Sequence, residues 1–221
     1  NHHRKDSAWW SWNSLLSKVS KEKVMAKIIG ITGGIASGKS TVTEFLRQNG
    51  FEVVDADAVV HQLQKPGGRL YQIIVEHFGN KVLLESSELN RPLLASLIFS
   101  NPKEQEWSER TQGEIIREEL AALRNQLDQT EALFFMDIPL LFEQNYASWF
   151  DETWLVYVNR DVQLERLMKR DQISKEAAES RLNSQWPLER KMVLASHSLD
   201  NNGTQKQLIT QVVHLLEEMR L

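Results

Sequence analysis

The distribution of apolar positions along the chain switches repeatedly between strand-like and helix-like periods. Lys27-Ile28-Ile29-Gly30-Ile31-Thr32 is a short β-branched run of the kind buried on both faces of a sheet. Val42, Phe45, Leu46 and Asn49 then recur at helical spacing, and Gly50 is placed as a C-terminal stop. Residues 51–54 predict a second strand, which ends in Asp55-Ala56-Asp57. A helix follows to about Lys65, where Pro66-Gly67-Gly68 breaks it. From there to about Asp128 the pattern is helical, with Leu70, Ile73, Ile74 and Phe78 on one face ahead of Gly79. Asn90 is an N-cap before Pro92 and the apolar positions Leu93, Leu94, Leu97 and Ile98. One long charged helix over 103–127 closes the block, its charges forming a solvated face.

Strand character returns at 132–136, at 153–158 and briefly around Ser198-Leu199, each time followed by helical pattern. Thr204 with Gln207 spells a capping box for the terminal helix. Five strands alternating with helices, with a helical insertion between the second and third, predict an α/β fold. Its sheet is parallel, flanked by helices, and binds ligands beyond the carboxyl ends of the strands.

Composition narrows the possibilities. The 221 residues carry 26 basic and 30 acidic side chains, a formal net charge of −4, so no basic excess points to nucleic acid. There is no cysteine, hence no disulfide and no thiolate metal site. No apolar run reaches membrane-spanning length; the best, 132–142, is interrupted by Asp137 and Pro139. A soluble, cytoplasmic protein is expected, a monomer or small homo-oligomer with no membrane partner. Residues 1–24, with Trp9, Trp10 and Trp12, read as an extension outside the functional fold.

The chemistry concentrates in Gly33-Gly34-Ile35-Ala36-Ser37-Gly38-Lys39-Ser40, the G-x-x-x-x-G-K-[ST] spacing of a P-loop, set between a strand and a helix as the motif requires. Such a loop turns successive N–H groups toward a phosphate, and the helix that starts there adds its positive dipole end. Lys39 brings a positive charge to the β- and γ-phosphates, and the Ser40 hydroxyl, with Thr41 beside it, reaches Mg²⁺. An N-K-x-D guanine motif and an L-S-G-G-Q motif are both missing, which leaves a small kinase that uses a nucleoside triphosphate.

Three further segments carry a family resemblance: Val53-Val54-Asp55-Ala56-Asp57, Ile138-Pro139-Leu140-Leu141-Phe142-Glu143 and Asp200-Asn201-Asn202-Gly203. With the P-loop, Leu89-Asn90-Arg91 and the 163–171 segment, the chain from Met25 onward resembles the dephospho-coenzyme A kinases. The resemblance implies a P-loop NTPase fold of five parallel strands with an inserted helical substrate-binding domain and a helical lid. It divides 25–221 into a nucleotide-binding core of about 25–65 and 130–221, an acceptor-binding insertion of about 66–128 and a lid of about 163–187. It implies transfer of the γ-phosphoryl of ATP, with Mg²⁺, to the ribose 3′-hydroxyl of dephospho-CoA.

The site expected on this basis takes ATP on Gly34, Ile35, Ala36, Ser37, Gly38, Lys39, Ser40 and Thr41, with Arg170 and Asn202. Ser40 and Asp137 hold the metal, although Asp137 serves equally well as a cap for the turn before Pro139. Asp57 accepts or orients the hydroxyl proton, or caps the following helix; Asp55 competes for the capping role or touches the metal. Arg166 and Arg170, one turn apart, and Arg181 act from the lid, and Arg91 and Arg181 contribute to the acceptor site. Three departures from the family pattern stand out, the first being that residues 1–24 have no counterpart in it. Ala36 replaces a glycine, acceptable where φ is negative, and Gln112-Gly113 replaces a His-Pro pair. A P-loop kinase for a nucleoside monophosphate or sugar acid, and a nucleotide-dependent switch, are the competing readings.

Overall fold

The computed structural model describes residues 25–219; the Trp-rich expectation for 1–24 lies outside them. The chain divides into two compact units. One takes in the described residues up to Val54 and those from Leu127 on; the other is Asp55–Gln126.

The larger unit is built on the five strands β1 (Lys27–Gly33), β2 (Glu52–Asp55), β3 (Leu133–Asp137), β4 (Glu152–Tyr157) and β5 (His197–Asp200), in the order β2-β3-β1-β4-β5. The strands run parallel, with β1 between β3 and β4; Ile31 pairs with Asp137 on one side and with Trp154 on the other. β1 is buried along almost its whole length because helices cover both faces. Its two neighbours, β3 and β4, follow one another in the chain but lie on opposite sides of it, so the switch point of the topology falls at its carboxyl end. There the P-loop begins and leads into α1 (Lys39–Gln48), which ends at Asn49-Gly50, where Gly50 has φ +85°. The core joins Ile29, Ile31, Val42, Leu46, Phe135, Trp154, Val156 and Leu199 to the apolar face of the C-terminal helix, all at most 4% exposed.

The smaller unit is helical: α2 (Ala56–Leu63), α3 (Arg69–Phe78), α4 (Arg91–Phe99), α5 (Pro102–Trp107) and most of α6 (Gly113–Thr130). Leu63, Leu70, Ile74, Val82, Leu89 and Leu94 form its own core. Asn90 caps α4 as expected, its side chain accepting from the Leu93 N–H. The single long helix expected over 103–127 is corrected. It starts at Pro102 behind an Asn101 cap, runs to Thr130, and is interrupted by a π-turn at Ser108–Gln112. The extra residue in that turn brings Gln112 inward, where its amide donates to the Ser108 hydroxyl at 2.9 Å. Pattern reading assumes an unbroken 3.6-residue period and cannot see such an insertion.

Back in the larger unit, β4 leads to α7 (Arg160–Asp171) and α8 (Lys175–Asn183), joined by a tight turn in which Gln172 is left-handed (φ +53°) and Ser174 caps α8. Then come α9 (Leu188–Leu194) and, after β5, α10 (Gln205–Glu218). No helix among the described residues is long and apolar enough to cross a membrane. The Thr204–Gln207 capping box is fully formed at α10, and Leu208, Val212 and Leu216 carry this helix onto the sheet. Thr204→Ala, which removes one of the two reciprocal bonds, is expected to lower stability by about 1 kcal/mol in urea unfolding monitored by circular dichroism.

Candidate active site

A loop that presents its N–H groups to an anion must point its carbonyls the other way, into protein, where each needs a donor. In the P-loop these donors come from distant side chains. The Gly33 carbonyl accepts from Lys191 Nζ at 3.3 Å, that of Ile35 from Gln163 Nε2 at 2.8 Å and that of Ser37 from Asn201 Nδ2 at 2.8 Å. The Gly34 carbonyl takes the Ser37 N–H at 3.1 Å, which closes a four-residue turn. On the opposite side of the loop, the N–H groups of Ala36, Gly38, Lys39 and Ser40 bond to no described residue, nor does the buried Ser37 hydroxyl. The donors left over by folding are those of an anion cradle at a helix N-terminus.

Two loop residues are conformationally extreme. Gly38 has φ +89°, and a Cβ there would lie 2.1 Å from Asn201 Nδ2, so only glycine fits. Ala36 has φ +59°, so the negative angle under which an alanine is acceptable here is not met. It is the third residue of the 34–37 turn, a position that asks for positive φ and costs an alanine about 1–2 kcal/mol. Its methyl group packs, with Ile35, against Leu167, Ala178 and Leu182 of α7 and α8. That contact offsets part of the strain.

Lys39 Nζ lies 2.6 Å from Asp137 Oδ1, at the carboxyl end of β3, with side-chain exposures of 18% and 10%. Asp137 therefore faces the lysine of the P-loop motif. Next to this pair lies a second one. Lys191 on α9 is completely buried and pairs with Glu143 at 2.9 Å; Glu143 also accepts from the Trp186 N–H. Burial pushes the Lys191 pKa down and Lys39 pushes it the same way, while the Glu143 carboxylate opposes both. The unfolded chain thus holds this proton to higher pH than the folded one. Between the lowered value and the ordinary 10.5, this group makes stability rise with pH; below that window its burial as a cation counts against folding.

On the α7–α8 hairpin, Arg170 Nε and Nη2 donate to both oxygens of Asp171, at 2.8 and 3.2 Å, and Arg181 Nη1 donates to the same carboxylate at 2.6 Å. The hydrogen bond from Arg170, assisted by Arg181, holds the Asp171 carboxyl below the usual range. Arg166 is half-buried and Arg170 and Arg181 are exposed, so the three occupy one hairpin with two of them joined through an acid.

Not every expected residue has the expected geometry. The Ile35 N–H is taken by Gln185 Oε1 at 3.3 Å, so both of its backbone groups are used and it drops out of the anion cradle. The Asn202 side chain is likewise occupied, accepting from the Asn159 N–H and donating to Asp200 Oδ1, each within 2.9 Å. Asn202 still borders a surface cleft with Asp200, Gly203, Gln207 and Thr210, and Thr41 borders a second one of about 360 Å³ against α10. In the smaller unit Asp55 caps α2 by accepting from the Ala58 N–H. Asp57, in the first turn of that helix, is exposed and bonds to no described residue. Arg91 at the start of α4 donates to His61, and it lines a cleft of about 350 Å³ with Lys65, Leu84, Leu89 and Asn90.

Sequence reading missed Gln163, Gln185 and Lys191 and gave Asn201 no bracing role. Each lies far along the chain from its partner in the loop, and glutamine or asparagine in a polar segment carries no local mark of such a task. Lys191→Met strands Glu143 in the interior and leaves the Gly33 carbonyl without its donor, and is expected to cost about 3–5 kcal/mol in chemical unfolding. Adding Glu143→Gln, which neutralises the stranded acid but keeps an acceptor for Trp186, is expected to restore about half of that loss.

Comparisons with known proteins agree with this geometry. The family model for dephospho-CoA kinase matches residues 27–207. The dephospho-CoA kinase of Streptococcus pneumoniae is 75% identical over 193 residues, covering 87% of this chain and 96% of that protein. That of Streptococcus agalactiae is 53% identical over 195 residues, covering 88% and 100%. The solved dephospho-CoA kinase from Campylobacter jejuni is 27% identical with a TM-score of 0.68, over 89% of this chain and all of that one. A shikimate kinase from Bacteroides thetaiotaomicron, at 18% identity, TM-score 0.50 and coverage of 90% and 100%, shares the fold alone. A loop built for polyphosphate, an α/β frame switching at its first strand and this match over most of the chain lead to one assignment: the chain belongs to the dephospho-CoA kinase family.

Proposed function

We propose that the chain transfers the γ-phosphoryl group of ATP to the ribose 3′-hydroxyl of dephospho-CoA, giving coenzyme A and ADP, the last step of coenzyme A synthesis. The observation that carries this reading is the P-loop itself. Its carbonyls are tied back by side chains from several elements, its free N–H groups share one side, and Lys39 is already held at the strand ends by Asp137.

In this reading the N–H groups of Ala36, Gly38, Lys39 and Ser40 and the Lys39 ammonium hold the β- and γ-phosphates. The hydroxyl of Ser40 and the carboxylate of Asp137 are hard oxygen donors suited to Mg²⁺. Magnesium, when bound, draws charge from the phosphate oxygens and fixes their orientation. Phosphoryl transfer forms a bond from the acceptor oxygen to Pγ as the bond from Pγ to the ADP oxygen breaks. Asp57 takes the hydroxyl proton. Two features support that role: Asp55 already does the capping, and the Asp57 carboxylate has no other described partner. Arg166, Arg170 and Arg181 stabilise charge on the transferring group, and Arg91 and Arg181 contribute to acceptor binding, with the smaller unit as acceptor-binding insertion and α7–α8 as lid. The clefts beside Thr41 and Asn202 receive the adenosine end of ATP. A soluble, cytoplasmic enzyme follows from this role.

The deciding assay supplies ATP and Mg²⁺ with dephospho-CoA, a nucleoside monophosphate, shikimate or gluconate, and follows ADP release and the phosphorylated product. ADP release that depends on dephospho-CoA alone is expected; equal release with any acceptor, or without one, defeats the reading. Asp57→Asn is expected to lower kcat by about a hundredfold or more with little change in the KM for ATP. Near-normal turnover in this variant removes Asp57 from proton transfer.

A further inference from the structure

Ile35 is the one P-loop residue whose N–H and C=O are both held by side chains, and both come from the same part of the chain. Gln163, in the first turn of α7, donates its amide to the Ile35 carbonyl at 2.8 Å. Gln185, just beyond α8, accepts the Ile35 N–H at 3.3 Å. Between them, residues 164–184 hold the rest of α7 and all of α8, with Arg166, Arg170 and Arg181. Both feet of the hairpin therefore stand on one residue of the phosphate-binding loop.

Packing around the clamp fits the same purpose. Gln163 is 6% exposed although it is polar, and it reaches the loop across Gly34, where a Cβ would lie 2.6 Å from its Nε2. Between the two feet, Leu164, Leu167, Met168, Ile173, Ala178 and Leu182 make a small apolar core that closes on Ile35 and Ala36. The hairpin touches the loop through two directional bonds at its base and through apolar contact above them. Directional bonds fix register where apolar contact alone permits sliding.

We propose that Gln163 and Gln185 are positioning residues, which clamp both ends of the arginine-bearing α7–α8 hairpin to the Ile35 backbone and so set the arginines at a fixed register above the phosphates. This rests on the kinase reading for its consequence in turnover, but not for the clamp itself. The two glutamines have opposite roles, one donor and one acceptor, and that opposition makes them separable. Gln163→Glu removes the only donor to the Ile35 carbonyl among the described residues and sets a carboxylate against it. Gln185→Glu is the conservative counterpart: it places the same new charge beside the same residue, yet keeps an acceptor for the N–H.

The first readout needs no substrate. Limited trypsin digestion, with cleavage after Lys169, Arg170 and Lys175 mapped by mass spectrometry, reports opening of the hairpin. Gln163→Glu is expected to speed that cleavage at least about fivefold without a matching rise at sites outside 160–190, and Gln185→Glu to stay within about twofold of the parent protein. The second readout is coupling, the ratio of ADP released to acceptor phosphorylated. In Gln163→Glu kcat is expected to fall by about ten- to a hundredfold with the affinity for an ATP analogue held within about threefold, and the ratio to rise above one as water replaces the acceptor. Equal cleavage rates in Gln163→Glu and the parent, or equal acceleration in both glutamate variants, overturn the clamp. An unaltered ratio and kcat in a Gln163→Glu protein whose hairpin does open overturn its role in positioning. Failure of the parent protein to phosphorylate dephospho-CoA counts against the kinase reading instead, and leaves the digestion result to judge the clamp.

Discussion

The structure turns on a polarity problem in eight residues. For backbone N–H groups to converge on a polyanion, the carbonyls of the same peptides must be directed into the protein and satisfied there, since an unpaired buried carbonyl costs about 1–3 kcal/mol. Lys191, Gln163 and Asn201 supply the donors, from α9, α7 and the end of β5. A P-loop motif specifies the front of the cradle, but its back is assembled from the last third of the chain. The C-terminal elements are thus as much a part of phosphate binding as the glycines are.

This back wall is electrostatically unusual. Lys191 is fully buried behind a loop that binds anions, with Glu143 as its partner, while Lys39 pairs with Asp137. Two acids facing two lysines balance the charge at the loop. In the proposed reaction the polyphosphate competes with Asp137 for Lys39, whereas Lys191 is wholly inside, bonded to the Gly33 carbonyl and to Glu143. One lysine is available to ligand and the other is committed to architecture. Lysine suits the buried role because its three donors reach both a carboxylate and a carbonyl from a single point.

How much of this could be read in the sequence depends on the range of the interaction. The strand–loop–helix around Gly33, the Gly50 stop, the Asn90 cap and the Thr204–Gln207 box are settled by neighbours within a few residues, and pattern reading finds them. The π-turn at Ser108–Gln112 escapes it because one inserted residue leaves no compositional trace. Ala36 misleads because alanine prefers negative φ; the contact with Leu167, Ala178 and Leu182 that makes φ +59° bearable comes from far along the chain. Gln163 and Gln185 are the extreme case. Their partner Ile35 is separated from them by most of the chain, and only the folded sheet brings the three together.

The arginines of the hairpin complete the picture from the solvent side. Arg170 and Arg181 share the single carboxylate of Asp171, so the cluster keeps a net positive charge while each guanidinium is held in a defined direction. Exposed pairs of this kind contribute little to stability, because water screens them and ordering long side chains costs entropy. Their value is therefore geometric: Asp171 reduces the number of orientations two flexible cations explore without neutralising both. In the proposed reaction a triphosphate, which carries more charge than one carboxylate, takes the place of Asp171 without unpacking the hairpin. The loop behind is rigid because its carbonyls are bonded, and the hairpin is anchored to that loop at both ends. Rigidity below and exchangeable pairing above is the division of labour that phosphoryl transfer requires, since the donor must stay fixed while charge moves across it.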